Sequence, residues 1–156
     1  MAFVASETFS FGTWMAVHET VQAYANALDH GDIDGILACF DASAEWHYSP
    51  TAMRRGHDEI RAFFEERMSV WARTSHAVCS PVLTPGSRPG EVRSSAYFNS
   101  EHILQDGSRY RGCGRYVDNI DLSGERPLIT RRQVLAHILE GSNRVYNYLP
   151  RLVPAS

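Results

Sequence analysis

Asp29 stands in the last turn of a predicted helix, where a carboxylate is electrostatically unfavourable. The segment Leu-Asp-His-Gly-Asp at residues 28–32 places the helix end near Gly31. The negative end of the helix dipole disfavours a carboxylate there by about 0.3–1 kcal/mol. A partner imidazole would compensate, because a carboxylate that accepts from one ring nitrogen fixes the tautomer and leaves the other nitrogen as a base. Asp29 is therefore a candidate for proton transfer, and a solvated turn residue is the structural alternative.

Histidines and carboxylates are numerous enough to raise the question of a metal site. The chain has 7 histidines and 18 Asp and Glu residues. His18-Glu19 lacks the second histidine four residues later, and Glu101-His102 places its two side chains on opposite faces of a strand. No metal-ligand spacing is present, so we predict neither a metal nor another cofactor.

Arg131 and Arg132 are adjacent in a predicted strand, so only one of the two side chains can face a cavity. An inward arginine could bind a carbonyl, a carboxylate or a leaving oxygen. A surface or interface salt bridge is the alternative.

Three amphipathic segments predict helices in the first half of the chain. The first, at about residues 14–29, carries apolar residues at spacings of three and four. Gly31 suits its C-cap, and an acidic N-cap opens a short second helix within residues 32–40. The third helix is predicted from residue 58 to about residue 73.

A run of strands follows the helices. The β-branched and aromatic residues and the period-two alternation predict strands at residues 44–49, 75–83, 92–104, 110–122 and 128–139. Asp106-Gly107 is a strong hairpin signal. Helices followed by antiparallel strands favour an α+β fold, with three N-terminal helices packed on a curved, mostly antiparallel sheet that closes into a cone-shaped barrel. We predict one domain over residues 1–156, with a core at about 13–139 and a C-terminal segment, 140–156, that folds back as a lid or dimer contact or frays.

The composition excludes several classes of protein. The chain of 156 residues is 44% hydrophobic and 21% charged, with a formal net charge of -3. That balance is ordinary for a globular domain and gives no general attraction to nucleic acid or anionic lipid. Three widely spaced cysteines predict reduced thiols. Neither a secretory signal nor an apolar run of membrane-spanning length is present, so we predict a cytoplasmic protein.

An ordered set of short segments resembles the SnoaL-like branch of the nuclear-transport-factor-two-like superfamily. The segments are Tyr24-Ala-Asn-Ala-Leu-Asp-His-Gly-Asp32, Cys39-Phe-Asp41, Ala44-Glu-Trp46, Arg55-Gly-His-Asp-Glu-Ile60, Ser75-His76, Gly114-Arg-Tyr116 and Ile129-Thr-Arg-Arg132. The branch includes polyketide cyclases, scytalone dehydratase and hexachlorocyclohexane dehydrochlorinase. The resemblance implies the cone-shaped fold over roughly residues 13–139.

The resemblance also implies site residues. In dehydratase and dehydrochlorinase members, an Asp near the end of the first helix and a His on the strand after the third helix form a catalytic dyad, and these positions match Asp29 and His76. An arginine on the last strand that stabilises leaving charge matches Arg132, and an aromatic pocket residue matches Trp46. The tyrosine that precedes the dehydratase's dyad Asp is Leu28 here, so the dehydratase substrate does not carry over.

Small-molecule sites combine apolar walls with a few polar groups, so aromatic residues are candidates for the pocket. The possible liners are Tyr24, Trp46, Tyr48, Phe64, Tyr97, Phe98 and Tyr116. We assign substrate contacts to Tyr24, Trp46, Tyr48 and Tyr116, and Tyr48 and Tyr116 could also donate a hydrogen bond to a substrate oxygen. His47 and His102 could enter the same cavity, whereas His18, His30 and His57 are expected to face solvent.

These features predict a cofactor-independent lyase or isomerase in which His76, assisted by Asp29, abstracts a proton from a small apolar, cyclic or aromatic substrate. Dehydration, retro-aldol cleavage, double-bond isomerisation and aldol cyclisation need the same groups, so the sequence leaves all of them open. The alternatives are a non-catalytic small subunit of an aromatic-ring dioxygenase and a ligand-binding protein without turnover. By resemblance, we expect a homodimer or homotrimer.

Overall fold

The computed structural model describes residues 9–49 and 51–141, together with the backbone of residues 147–148. The helices are α1 (Phe11–His30), α2 (Ile33–Leu37) and α3 (Gly56–Val70). The strands are β1 (Phe40–Ser49), β2 (Ala52–Arg55), β3 (Trp71–Val78), β4 (Val82–Pro85), β5 (Glu91–Leu104), β6 (Arg109–Asp121), β7 (Leu128–Glu140) and β8 (Asn147–Tyr148). None of the helices within these described residues is both long and apolar enough to span a bilayer.

Helix α1 has a defined beginning and end. The Ser10 hydroxyl accepts a hydrogen bond from the backbone N–H of Thr13 at 3.0 Å, which satisfies one of the free donors of the first turn. Gly31 ends the helix with a φ of 69°, a left-handed conformation that glycine adopts without strain. Asp29 therefore lies in the last turn of α1, as the sequence predicts.

The third helix ends earlier than its apolar spacing predicts, and the expected end near Arg73 is wrong. Helix α3 stops at Val70, and Trp71 is extended, with φ -86° and ψ 124°. The carbonyl of Val70 accepts from the backbone N–H of Gln105 at 3.0 Å, and the carbonyl of Trp71 accepts from the Gln105 side chain at 3.3 Å. Trp71 also pairs with Leu104. Pairing with β5 outweighs the local helical pattern, so this tryptophan begins β3.

The strands form one curved sheet in the order β2-β1-β7-β6-β5-β3, with β4 on β5 and β8 on β7. The pairs β1–β7 and β7–β8 are parallel, and the other described pairs are antiparallel. The predicted α+β cone with a mostly antiparallel sheet is confirmed. The Asp106-Gly107 hairpin is also confirmed: it joins β5 to β6, and Gly107 has a φ of 80°.

Three strand assignments differ from the sequence prediction. Strand β1 begins at Phe40 rather than at residue 44, and its hairpin partner β2 was not predicted. The strand expected at residues 75–83 is two strands, β3 and β4, which both pair with β5. A strand of four residues such as β2 carries too little periodicity to be identified from sequence alone.

The C-terminal segment is described only in part. Strand β7 runs to Glu140, and the backbone of Asn147–Tyr148 pairs in parallel with Leu135 and Ala136 of β7. The predicted lid or dimer contact falls mostly on residues 142–146 and 149–156, which lie outside the described residues.

The core fills the space between the helices and the concave face of the sheet. Val17, Val21 and Leu28 of α1 and Phe63 and Phe64 of α3 are buried in one cluster with inward residues of β1, β5, β6 and β7. Along β5 and β6 the buried residues alternate with exposed or half-buried ones, so one face of the sheet packs on the helices and the other does not.

Gly114 of β6 lies where two strands approach too closely for a side chain. A Cβ atom there would lie 2.0 Å from the carbonyl oxygen of Leu135, beside a register shift between β6 and β7. We expect Gly114→Ala to lower the free energy of unfolding by about 3 kcal/mol, measured by urea denaturation, because the strands must separate to admit the methyl group. Gly12→Ala is the matched control, since its Cβ would meet no atom closer than 3.7 Å. Equal stability of the two variants would contradict this account.

Candidate active site

An aromatic cavity lies between the concave face of the sheet and helices α1 and α3. Its lining residues are Tyr24, Leu28, Trp46, Tyr48, Phe64, Trp71, His76, Phe98, Ser100, His102, Tyr110, Gly112, Cys113, Tyr116, Val134, Ala136 and Leu139. The cavity volume open to the centre of a water molecule is about 50 Å³. By the same measure, a single water needs about 10–15 Å³. The cavity therefore suits a small, mostly apolar molecule with few polar groups.

The structure brings Asp29 and His76 together at the edge of this cavity. Oδ1 of Asp29 lies 2.7 Å from Nδ1 of His76 and accepts from the Thr74 hydroxyl at 2.9 Å. Oδ2 accepts from the backbone N–H of His76 at 2.8 Å. Three contacts from one strand thus fix the carboxylate. Because an ionised carboxylate only accepts, its short contact assigns the proton to Nδ1 of the neutral ring and leaves Nε2 as the acceptor.

The two members of this pair are unequally exposed. The His76 side chain is 5% exposed and lines the cavity, whereas the Asp29 side chain is 24% exposed and lies behind the ring. Helix α1 supplies the carboxylate from its last turn, and β3 supplies the imidazole from its inward face. This arrangement can orient a base toward a bound molecule while the carboxylate stabilises the imidazolium that forms.

Hydrogen bonding keeps Asp29 ionised. Partial burial acts to raise the pKa of its carboxyl, but the hydrogen bonds from the His76 ring, the His76 backbone and Thr74 outweigh burial and hold that pKa below its ordinary value. A carboxyl whose pKa is lowered by folding stabilises the protein at pH values above the unfolded pKa. That contribution is lost as the pH falls through the lowered pKa.

Asp29→Asn should therefore reduce stability at neutral pH and reduce it less in acid. We expect the difference in free energy of unfolding between wild type and variant to shrink as the pH falls below about 4, near the ordinary carboxyl pKa. Urea denaturation at several pH values measures this difference. A difference that stays constant from pH 7 into acid would show that the ionised carboxylate contributes nothing to folding.

His102 is a second histidine in the cavity wall. Its ring stacks on Tyr110 at 4.2 Å between centroids, lies 4.9 Å from the ring of Trp71 and meets the edge of His76 at 5.1 Å. His47, the other histidine considered for the cavity, points elsewhere and lies 3.2 Å from Glu45. Only His102 of these two candidates lines the cavity.

The prediction that His18, His30 and His57 all face solvent is correct for His30 alone. His30 is exposed at the end of α1. His18 is half-buried and stacks on Trp14 at 5.1 Å, and its Nδ1 is buried. The half-buried His57 ring contacts the Phe40 carbonyl at 3.0 Å.

All four aromatic residues assigned to substrate contact, Tyr24, Trp46, Tyr48 and Tyr116, line the cavity. Burial raises the pKa of Tyr24 to about 12 and raises that of Tyr116 as well, although Arg132 opposes both shifts. Both phenols therefore keep their protons at neutral pH and remain hydrogen-bond donors. Tyr97, considered as a liner, is 48% exposed on the other face of the sheet, where Arg115 lies over its ring.

Arg132 points inward as predicted, but the structure does not place it in the cavity wall. Its fully buried guanidinium forms a two-bond salt bridge with Asp118, with Nε to Oδ1 at 2.8 Å and Nη2 to Oδ2 at 2.7 Å. The guanidinium also lies 4.0 Å from the ring centre of Tyr24 and 4.5 Å from that of Tyr116. Arg132 is thus a core residue that holds Tyr24 and Tyr116, and its Nη1 is buried without a partner among the described residues. Its predicted role at a leaving group stays a prediction.

Sequence reasoning missed several residues of the site. Thr74 was not among the predicted site residues, because the strand was predicted to begin one residue later. Thr74 could have been found because it stands two positions before His76, and residues at that spacing in a strand have their side chains on the same face. Asp118 could have been found in the same way, since it lies two residues from the inward Tyr116. Trp71 was hidden by its assignment to a helix.

Comparisons with known proteins agree with this architecture. The family profile of the SnoaL-like domain matches residues 15–133. No curated protein matches significantly by sequence.

Within the described ranges, no group of three or more His, Cys, Asp and Glu side chains could hold a metal ion.

Three similar crystal structures share the fold. One from Novosphingobium aromaticivorans, provisionally named a scytalone dehydratase, is 18% identical with a TM-score of 0.82, covering 89% of this chain and 94% of that one. A second from the same organism, provisionally named an aromatic ring hydroxylase, is 24% identical with a TM-score of 0.80, covering 86% and 96%. A hexachlorocyclohexane dehydrochlorinase is 9% identical with a TM-score of 0.73, covering 89% and 94%. At these identities the likeness concerns the fold alone.

Proposed function

The chain belongs to the SnoaL-like domain family, and we propose that it is a cofactor-independent lyase or isomerase with His76 as its base. The observation that carries the proposal is the 2.7 Å contact between Asp29 and His76 Nδ1, with the ring in the wall of an apolar cavity. The substrate is a small cyclic or aromatic molecule, because aromatic side chains form most of that wall.

The first chemical step is proton abstraction from carbon. Nε2 of His76 takes the proton, and the C–H electron pair forms a double bond to the adjacent carbon. In an elimination the leaving group departs with its own electron pair and receives the proton back from the imidazolium if it leaves as hydroxide. In an isomerisation the proton returns to a different carbon. Asp29 stabilises the imidazolium in both cases, and general base catalysis of this kind accelerates reactions by about 10²–10⁴-fold.

Retro-aldol and aldol chemistry fit the same base with one restriction. The sequence contains no lysine, so no side chain in it can form the imine that activates a carbonyl in lysine-dependent aldolases. Any such reaction here proceeds through an enolate stabilised by hydrogen bonds. Tyr48 and Tyr116 are our candidates for donors to the substrate oxygen, since both line the cavity.

An exchange screen over several compound classes tests the proposal while the natural substrate is still unidentified. Single-ring ketones and hydroxylated or halogenated rings are incubated with the protein in D₂O and followed by NMR. We expect deuterium to replace a proton on carbon, or an alkene to form, with at least one class. No exchange and no elimination in any class would overturn the proposal. A larger oxygenase subunit that copurifies with the chain would then favour the non-catalytic role in an aromatic-ring dioxygenase.

We also propose a homodimer or homotrimer in the cytoplasm. The face of the sheet that turns away from the helices exposes Tyr97 and Ile138, which are 48% and 58% exposed. Exposed apolar groups on a sheet face are typical of protein contacts. Light scattering on the purified protein measures the oligomeric state, and a monomer at all concentrations would contradict this assignment.

A further inference from the structure

Trp71 carries a hydrogen-bond donor that no described residue satisfies. Its side chain lines the cavity, the residue is 9% exposed, and its Nε1 is buried without a partner. A buried, unpaired N–H group costs free energy that a phenylalanine at the same position would not cost. A ligand that accepts from this N–H would explain why tryptophan is present there.

An irregularity in the backbone of β3 directs the Trp71 side chain toward the cavity. His76 stands five positions after Trp71, an odd spacing, so in a regular strand their side chains would lie on opposite faces. A register shift between residues 71 and 73 of β3 changes this alternation and places Trp71 on the inward face with His76. Bulges of this type redirect side chains near functional sites. Gln105 donates to the carbonyls of Val70 and Trp71, which lie on either side of the Trp71 Cα.

The other two tryptophans differ from Trp71. Trp14 Nε1 donates to the carbonyl of Pro81 at 2.9 Å. Trp46 Nε1 also lacks a conventional partner among the described residues, but its ring and that of Phe63 are nearly perpendicular at 4.4 Å, a geometry in which an aromatic face can accept an N–H. Trp71 has one ring neighbour among the described aromatic contacts, His102, and that ring lies at a 52° tilt. Among the three tryptophans, Trp71 is therefore the one whose N–H most needs an acceptor from a ligand.

Trp71 also lies on the same side of the cavity as the base. Its ring lies 4.9 Å from His102, which in turn lies 5.1 Å from His76. Arg132, the cationic candidate for stabilising a substrate oxygen, binds Asp118 through Nε and Nη2 and does not line the cavity, although its buried Nη1 has no partner among the described residues. An uncharged N–H donor in an apolar wall can take over this role, because hydrogen bonds to a developing negative charge are strong where water is excluded.

We propose that the substrate is a cyclic carbonyl compound whose oxygen accepts a hydrogen bond from the indole N–H of Trp71. This inference rests on the proposed function. When His76 removes the proton on the carbon next to the carbonyl, the C–H electron pair forms a carbon–carbon double bond and the carbonyl π electrons move onto the oxygen. The hydrogen bond from Trp71 strengthens as the enolate charge forms. The carbonyl then re-forms, and the imidazolium returns the proton either to carbon or to a group on the next carbon, which departs with the electron pair of its broken bond as the double bond shifts.

The indole N–H signals of the three tryptophans provide the test. Trp→Phe variants assign the signals of Trp14, Trp46 and Trp71 in the ¹H–¹⁵N spectrum. Cyclohexanone and methylenecyclohexane are the probes, since they differ by a carbonyl oxygen in place of a methylene group. Methyl signals of Leu28 and Val134, which line the cavity, report entry of either probe. We expect cyclohexanone to move the Trp71 indole proton downfield and methylenecyclohexane to leave it nearly unchanged.

Affinities give a second readout. Trp71→Phe should weaken the binding of cyclohexanone about tenfold, the typical effect of losing a buried hydrogen bond, and should not weaken that of methylenecyclohexane. Trp14→Phe is the matched control and should alter neither affinity. The proposal is overturned if cyclohexanone fails to enter the cavity, moves the Trp46 signal instead, shifts Trp71 no more than the hydrocarbon does, or if Trp71 already shows a hydrogen-bonded signal without ligand.

This outcome is separable from that of the proposed function. The same titration with His76→Gln should retain the Trp71 shift, because the base is not needed for binding. A Trp71 shift in wild-type protein that exchanges no substrate proton would support the carbonyl site and defeat the proton-transfer mechanism. Proton exchange without a Trp71 response would do the reverse.

Discussion

His76→Gln is expected to reduce turnover of any substrate found in the exchange screen by about 10²–10⁴-fold, because the variant keeps a polar side chain but has no base. The reduction should appear in kcat rather than in KM, since proton removal is a step of the chemistry. Steady-state kinetics measure both constants. Asp29→Asn should also lower kcat, and less severely, because the base remains and only its orientation and the stabilisation of the imidazolium are lost.

His30→Gln is the matched control for this variant. His30 adjoins Asp29 at the end of α1, but it is exposed and its Nδ1 lies 2.8 Å from the Asn26 carbonyl oxygen, not near Asp29. We expect its kinetics to match those of wild type, and circular dichroism should show the same fold for all three variants. A folded His76→Gln protein that turns over within a few-fold of wild type would remove His76 from the mechanism.

Breaking the salt bridge between Arg132 and Asp118 is expected to produce the largest loss of stability. Both side chains have no exposed surface, and removing one leaves the other charge buried and unpaired. We expect Asp118→Asn and Arg132→Met each to lower the free energy of unfolding by about 3–5 kcal/mol, measured by urea denaturation. Glu140→Gln removes an exposed salt bridge with Arg111 and should change stability by less than about 1 kcal/mol.

The double variant Asp118→Leu with Arg132→Met separates structure from catalysis. Replacing both charges by apolar groups removes the unpaired charge, so stability should return to within about 2 kcal/mol of wild type. If the pair is structural, the folded double variant retains the turnover that His76→Gln loses. Loss of turnover in a stable double variant would show that Arg132 takes part in catalysis. Single variants within about 1 kcal/mol of wild type would contradict the expected stability effect.

The general architecture could be predicted because local patterns and tertiary structure agree. In α1, apolar residues recur at spacings of three and four, and a glycine follows the last turn. The Asp106-Gly107 pair specifies a hairpin turn. Each of these local patterns is present in the folded structure. The pairing of Asp29 with His76 was predicted from the resemblance to SnoaL-like proteins. It depends on the end of α1 near Gly31 and on a strand at residue 76, and the structure has both.

The errors arose where tertiary contacts overrode a local pattern. Trp71 continues the apolar face of α3 in sequence, but pairing with β5 and the Gln105 hydrogen bonds place it in a strand. Arg132 was correctly turned inward, yet its role depended on Asp118, a residue 14 positions away on the neighbouring strand. Strand register determines which charges meet, and no single-strand pattern contains that information.

The nitrogen signals of the His76 ring show whether Asp29 orients the base, and they require no substrate. A long-range ¹H–¹⁵N spectrum of wild-type protein, recorded at a pH where the ring is neutral, distinguishes the protonated nitrogen from the bare one. We expect a protonated Nδ1, held by Asp29, and a bare Nε2, with Asp29→Asn changing this distribution. A neutral ring with its proton on Nε2, unaffected by Asp29→Asn, would contradict the assignment of His76 as a base oriented by Asp29.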